Sequence, residues 1–222
     1  MATIETTRQS IDLRNFELDG RVLDIGGGGE GIIAQALTSK KNNFSTNIKN
    51  FLFSHPKSYD EIIAIDIRPE ELEETTDIGI KILMDATDLK FLDNYFEHCT
   101  CFYSLMYMNT VDTAKAISEA FRVLEPGGTL HIWDAVIPPL NTTGLEAISS
   151  TEQTKHPNVF ITHLNILLSK TEAVSTSYGV GEYETQSQNS IRELCEQAGF
   201  KYVAGETTDE KFWLEMTKES HT

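Results

Sequence analysis

The chain has 222 residues, of which 40% are hydrophobic and 23% charged, and its formal net charge is −16. This balance is typical of one globular domain, and the negative charge disfavours a nucleic-acid partner because phosphates would be repelled. No apolar run is long enough to cross a bilayer, so we expect no membrane partner. Three cysteines and an N-terminus without the apolar core of a signal peptide predict a cytoplasmic protein.

The first predicted element is a polar N-terminal segment, residues 1–20, which we expect to pack on the domain. A short apolar strand at 22–25 follows and contains Asp24. The four glycines that come next, at 26–29, allow positive φ and close approach of a ligand, and a helix is predicted from about 31 to 37. We therefore expect a ligand at this loop, and we expect Gly26→Val to block it while leaving the protein folded.

Residues 38–60 delay the return of the chain to the sheet. Apolar residues recur there at helical spacing and predict a short amphipathic helix that packs on the core. Alternatively, the apolar face of this helix forms a lid over the site or a contact between two copies of the chain. A homodimer is therefore also possible.

Strands and helices then alternate, which predicts an α/β fold with a mostly parallel sheet. Strands are predicted at 61–66, 81–84, 98–102 and 129–133, and the stripe Val111, Ala114, Ile117, Phe121 and Leu124 predicts one face of the helix before the last of them. An acidic residue lies at the carboxyl end of each of three consecutive strands: Asp24, Asp66 and Asp85. Because the carboxyl ends of parallel strands meet at one edge, these acids predict a ligand site.

The pattern changes after Asp134. Residues 135–157 predict a loop, with a weak helix as the alternative. Strands at 159–168 and 171–180 predict a hairpin, inserted in the edge of the sheet or laid over its top. A helix that ends before Gly199 and an antiparallel pair at 200–203 and 212–216 complete the chain. We expect a single domain over 1–222, in which 38–60 and 135–185 are insertions and the latter caps an acceptor.

The Asp24-x-Gly26-x-Gly28 pattern resembles motif I of the class I, Rossmann-like methyltransferases that use S-adenosylmethionine (SAM). Glu30 stands where that family often has a third glycine. Asp66, the segment 84–86 and the segment 124–128 resemble further family features, so the resemblance extends from about residue 22 to 216. It implies a three-layer sandwich with a seven-stranded, mostly parallel sheet and an antiparallel last strand. It also implies SAM as cofactor and S-adenosylhomocysteine as product.

The resemblance also implies a cofactor site. Asp66 would accept hydrogen bonds from both ribose hydroxyls, and Asp24 would lie near the methionine ammonium. Asp85 and the Ala86 N–H would bind adenine, with Ile67 packed on the ring. The residues assigned in this way to the cofactor are Asp24, Gly26, Gly27, Gly28, Asp66, Ile67, Asp85, Ala86, Cys101 and Phe102.

The acceptor side is less defined by the sequence. Residues 101–107 lack the Asn/Asp-Pro-Pro-Tyr/Phe motif of the amino-methylating branch, which favours a small-molecule acceptor. The candidate substrate residues are Tyr103, Met106, Tyr107 and Asp134. No catalytic base and no metal site is predicted.

The function predicted in this way is methyl transfer by positioning of the reactants and in-line displacement. One alternative is a SAM-binding regulatory module without turnover. The other is an NAD-dependent oxidoreductase, which would need an acid about twenty residues after the glycines, whereas Asp66 lies much further on.

Overall fold

The computed structural model of the protein describes residues 3–38, 62–75, 79–138, 159–181 and 183–220. Within these residues, the strands are β1 (Thr3–Asp12), β2 (Val22–Ile25), β3 (Ile62–Asp66), β4 (Ile80–Leu83), β5 (Phe96–Phe102), β6 (Leu124–Ala135), β7 (Val159–Leu167), β8 (Ala173–Gly181), β9 (Lys201–Thr207) and β10 (Lys211–Thr217). The helices are α1 (Ile32–Thr38), α2 (Pro69–Glu74), α3 (Thr110–Val123) and α4 (Gln188–Ala198), and a 3₁₀ turn covers Leu105–Tyr107.

Seven strands form the central sheet in the order β4-β3-β2-β5-β6-β10-β9. Strands β2 to β6 run parallel to one another, whereas β10 lies between β6 and β9 and is antiparallel to both. This confirms the predicted α/β fold with a seven-stranded sheet of mixed direction. The four residues of β2 are all buried, as expected for a strand covered on both faces. Strand order reverses between β2 and β5, which opens a crevice at their carboxyl ends.

A second sheet has the order β1-β7-β8. Strand β1 runs parallel to β7, and β7 runs antiparallel to β8. The two strands after residue 158 are therefore not inserted in the edge of the central sheet, and residues 3–12 are a strand rather than only a packing segment. Strand β1 was not predicted from the sequence because its side chains are mostly polar and exposed, although Ile11 near its end is buried.

Helices α3 and α4 cover one face of the central sheet. Their buried side chains, among them Ile117, Ile191 and Cys195, form a hydrophobic cluster with those of the sheet. The predicted stripe of α3 is partly wrong, because Val111 is 63% exposed and the buried side chains are Thr113, Ala116, Ile117, Ala120 and Val123. Leu124 is buried, but it belongs to β6. Helix α4 ends as predicted, with Gly199 at φ +109°.

The opposite face of the central sheet is covered by α1, β1 and β7, whose apolar side chains form a second cluster with Trp133. The helix predicted within 38–60 and the loop predicted at 135–157 lie largely outside the described residues, which omit 39–61 and 139–158. None of the described helices is long and apolar enough to span a membrane.

Candidate functional site

A cavity of about 1000 Å³ opens at the carboxyl ends of β2, β3, β4 and β5 and continues beneath residues 177–179 of β8. Most of the predicted site residues line it, namely Asp24, Gly26, Gly27, Gly28, Asp66, Ile67, Asp85, Ala86, Phe102, Tyr103 and Tyr107. The structure therefore brings together residues that are up to 83 positions apart in the sequence (24 to 107).

Cys101, Met106 and Asp134 do not line the cavity, which corrects their assignment as cofactor or substrate residues. Cys101 is 3% exposed and belongs to the cluster beneath α3 and α4, because side chains alternate along β5 and only Phe102 faces the cavity. Met106 is 3% exposed and packs in the cluster beneath β1 and β7.

Asp134 has a structural role at the end of β6. Its Oδ2 accepts hydrogen bonds from the Leu105 and Met106 N–H groups at 3.0 and 3.2 Å, and its Oδ1 accepts from the Ala135 N–H at 2.8 Å. Burial raises the pKa of Asp134 to about 7, although these hydrogen bonds favour the carboxylate. Both oxygens are engaged, so Asp134 holds the 3₁₀ turn in place.

The three strand-end carboxylates Asp24, Asp66 and Asp85 differ from Asp134 in their hydrogen bonds, because the protein donates to only one oxygen of each. Asp24 Oδ1 accepts from the Thr100 hydroxyl at 2.6 Å, and Asp66 Oδ1 accepts from the Arg68 N–H at 2.9 Å. Asp85 Oδ1 accepts from the N–H and hydroxyl of Thr87, both at 2.8 Å. Within the described ranges, no donor contacts the second oxygen of any of the three. These oxygens suit the hydroxyl, amino and ammonium donors that a SAM molecule carries.

Asp24 is a buried carboxyl whose pKa is shifted by its surroundings. It is 2% exposed, and burial raises its pKa to about 7, with a further contribution from the charge of Asp66. The hydrogen bond from Thr100 opposes this shift. A cationic ligand beside Asp24 would stabilise the carboxylate, so the residue fits the ammonium of SAM.

The glycine loop packs tightly against the protein. Gly26 has φ +70°, and a Cβ there would overlap the Cβ of Ser104. Gly26→Val therefore strains the backbone and this contact as well as the ligand site, so we expect this variant to be less stable than the wild type. A Cβ at Gly28 would lie 2.7 Å from Asp66 Oδ2, so the absence of a side chain leaves room for that carboxylate.

Glu30 is a cavity residue whose contacts the sequence did not reveal. Its carboxylate accepts hydrogen bonds from the Thr176 hydroxyl and, at 3.0 Å, from the Tyr178 hydroxyl, both on β8. The ring of Tyr178 stacks on Tyr103, with 5.5 Å between the centroids and 23° between the planes. The only sequence signal was that a glutamate occupies a position where the family pattern often has glycine.

Hydroxyl groups surround the part of the cavity beneath β8. Burial raises the pKa of Tyr107 to about 12, and burial also raises the pKa values of Tyr103 and Tyr178. These phenols therefore stay protonated at neutral pH and can donate hydrogen bonds. The buried hydroxyls of Tyr103 and Ser104 have no hydrogen-bond partner in the described part of the chain. Among the described residues, no group of three or more His, Cys, Asp or Glu side chains is arranged to hold a metal ion.

Comparison with known proteins agrees with this geometry. A family model described as a methyltransferase domain matches residues 23–132. The ubiquinone/menaquinone biosynthesis C-methyltransferase UbiE of Proteus mirabilis (strain HI4320) is 29% identical over 143 residues, which are 60% of this chain and 50% of that protein. The UbiE of Photorhabdus laumondii is 27% identical over 208 residues, which are 88% of this chain and 72% of that protein. The chain thus matches only half the length of the Proteus protein.

Solved structures share the fold at low sequence identity. The PH0226 protein of Pyrococcus horikoshii OT3 has a TM-score of 0.55 and 16% identity, with 91% of this chain and 83% of that chain covered. The [4+2]-cyclase SpnF also has a TM-score of 0.55, with 15% identity and coverage of 94% and 78%. The family match identifies residues 23–132 as a methyltransferase domain, and the strand order and the glycine loop with its strand-end acids agree with a class I methyltransferase whose cofactor is SAM.

Proposed function

We propose that this protein transfers a methyl group from SAM to a small-molecule acceptor. One observation carries the proposal: Asp24, Asp66 and Asp85 line one cavity, each with one oxygen to which no described donor is bonded, and that cavity continues beneath β8. A volume of about 1000 Å³ lies at the upper end of the range for ligand pockets, so it has room for a second molecule beside the cofactor.

The residues that would hold SAM are those at the strand ends. Asp66 would accept from the ribose hydroxyls, and Asp85 with Ala86 would bind adenine, against which Ile67 would pack. Asp24 would accept from the methionine ammonium, beside the backbone of Gly26–Gly28. Ile67 is 66% exposed, so its side chain is accessible to such a ring.

The acceptor would lie beneath β8, where Tyr103, Tyr107 and Tyr178 line the cavity. When bound, SAM supplies a methyl group that is already activated on a sulfonium, so the protein needs mainly to orient the acceptor and exclude water. The second sheet would exclude water as a cap over the cavity. The protonated phenols of Tyr103 and Tyr107 would orient the acceptor by hydrogen bonding, whereas the Tyr178 hydroxyl donates to Glu30. Tyr103 would remain in place through its stack on Tyr178.

The names of the curated relatives supply one specific acceptor class, because they describe C-methylation in ubiquinone and menaquinone biosynthesis. A hydroxylated aromatic ring is therefore the first acceptor to test. The neighbour described as a [4+2]-cyclase has the same fold, so the fold alone does not define the reaction, and SAM binding without methyl transfer is the second candidate function. We also propose a cytoplasmic location, which the free, buried Cys99, Cys101 and Cys195 support.

The test is a methyl-transfer assay with SAM labelled in the methyl group and a panel of hydroxylated aromatic and other small acceptors. Label in an acceptor product, with S-adenosylhomocysteine formed in equal amount, would support the proposal. Asp66→Ala should lower turnover at limiting SAM, which distinguishes enzyme-dependent transfer from background. Calorimetric binding of SAM without transfer to any acceptor in the panel would favour the regulatory module.

A further inference from the structure

The glycine loop presents Glu30 toward the second sheet. Gly29 and Gly31, on either side of Glu30, both have φ +59°, which glycine adopts without strain. The Gly29 N–H donates to the Glu71 carbonyl at 2.8 Å, and the Gln35 side chain donates to the Glu30 carbonyl. The backbone at Glu30 is thus fixed from both sides, so the direction of its side chain depends on the conformation of the loop.

Glu30 connects that loop to the strand that covers the acceptor part of the cavity. Thr176 and Tyr178 lie on the same face of β8, and both hydroxyls donate to the Glu30 carboxylate. Tyr178 in turn stacks on Tyr103 at the end of β5. Hydrogen bonds to a charged acceptor are stronger than those between neutral groups, so this contact is a favourable connection between the cofactor loop and β8.

The second sheet has another attachment, at Glu210, between β9 and β10. The Glu210 carboxylate accepts from the Thr7 N–H and hydroxyl of β1 at 2.9 and 2.7 Å. Like Glu30, Glu210 is a glutamate that binds the second sheet through side-chain hydrogen bonds. Unlike Glu30, it does not line the cavity.

We propose that Glu30 is a positioning residue that couples cofactor binding at the glycine loop to the placement of β8 over the acceptor. A ligand bound against the glycine loop stabilises this loop conformation, in which Glu30 holds Thr176 and Tyr178 in position. This inference rests on the proposed binding of SAM in the cavity. It assigns to Glu30 a role in the coupling between the two parts of the site rather than in methyl transfer itself.

The experiment measures hydrogen exchange of residues 173–181 with and without S-adenosylhomocysteine, in the full chain. A hydrogen bond to a charged group is worth roughly a factor of ten in an equilibrium, so we expect the ligand to slow exchange in the wild type by about tenfold. In Glu30→Ala the same saturating ligand should slow exchange by less than about twofold, whereas Glu210→Ala should retain the wild-type response. Calorimetry on each variant establishes saturation.

Thr176→Val provides a second variant that removes one hydrogen bond from the side of β8 and leaves the glycine loop unchanged. A smaller ligand-dependent change than in the wild type is the expected result. The inference is overturned if S-adenosylhomocysteine binds the wild type but does not change exchange in 173–181, or if the Glu30 and Thr176 variants respond like the wild type. Absence of S-adenosylhomocysteine binding to the wild type would instead overturn the proposed cofactor site, and the coupling with it.

Discussion

Asp24 and Asp134 occupy equivalent places in the sheet but have opposite surroundings. Each lies near the carboxyl end of a buried strand, and burial raises the pKa of each to about 7. Asp24 lines the cavity and accepts a hydrogen bond from Thr100 at one oxygen, with no described donor at the other, whereas Asp134 accepts hydrogen bonds from backbone N–H groups at both oxygens. A strand-end position and a raised pKa therefore do not identify a ligand site. The distinguishing feature is an oxygen that the protein leaves for a ligand.

The largest expected effect concerns the region around Asp134. Asp134→Ala removes the acceptor of three buried backbone N–H groups, so we expect the free energy of unfolding to fall by about 3 kcal/mol or more. Urea denaturation measures this change. Asp24→Ala is the matched control, and it should cost about 1 kcal/mol because only the Thr100 hydroxyl loses its partner. Equal losses in the two variants would contradict the comparison.

The next effect concerns cofactor affinity. Asp24→Asn keeps an acceptor for Thr100 but removes the charge beside the ligand ammonium, so SAM should bind about 10- to 100-fold more weakly. The stability of the protein should change by less than about 1 kcal/mol. Calorimetric titration with SAM measures the affinity, and unchanged binding in this variant would remove Asp24 from the site.

The pH dependence of SAM binding provides a finer test. The pKa of Asp24 is about 7 without ligand, and a bound ammonium favours the carboxylate and lowers this pKa. Binding therefore releases a proton when the pH is below about 7, and affinity should fall as the pH falls, by up to about tenfold per unit. Titrations in buffers of different ionisation enthalpy detect the released proton. The same pH dependence in Asp24→Asn would show that another group is responsible.

The smallest expected effect concerns Cys101, which the family resemblance placed at the cofactor and the structure places in the core. Cys101→Ala should lower stability by about 1 kcal/mol through lost packing and leave SAM affinity unchanged. Denaturation and calorimetry on the same preparation separate the two properties. A marked loss of SAM affinity in a folded Cys101→Ala protein would restore the original assignment.

The central sheet was predictable because its strands have continuous apolar runs and its acids recur at strand ends. These are local signals, and they were sufficient to bring Asp24, Asp66 and Asp85 to one cavity. The second sheet was only partly predictable, because β1 is polar and is stabilised by pairing with residues more than 150 positions away. The contacts of Glu30 with Thr176 and Tyr178 are also long-range, because they span 146 and 148 positions.

The predictions for Cys101 and Asp134 were wrong because a sequence motif does not specify which way a side chain faces or which groups bind it. Cys101 precedes Phe102, and alternation along β5 places the two side chains on opposite faces, so only one of them can line the cavity. Asp134 lies at a strand end like the other acids, but the 3₁₀ turn after β5 brings two N–H groups to it. The sequence specified which strands end in acids and did not specify which acids have a ligand-facing oxygen.

The most direct test is calorimetric titration of the wild type and of Asp66→Ala with SAM. A separate titration with NAD tests the alternative oxidoreductase function. We predict micromolar binding of SAM to the wild type, a loss of about 10- to 100-fold in Asp66→Ala and no binding of NAD. Equal SAM affinity in the two proteins, or binding of NAD alone, would contradict the assignment of the strand-end carboxylates to the SAM site.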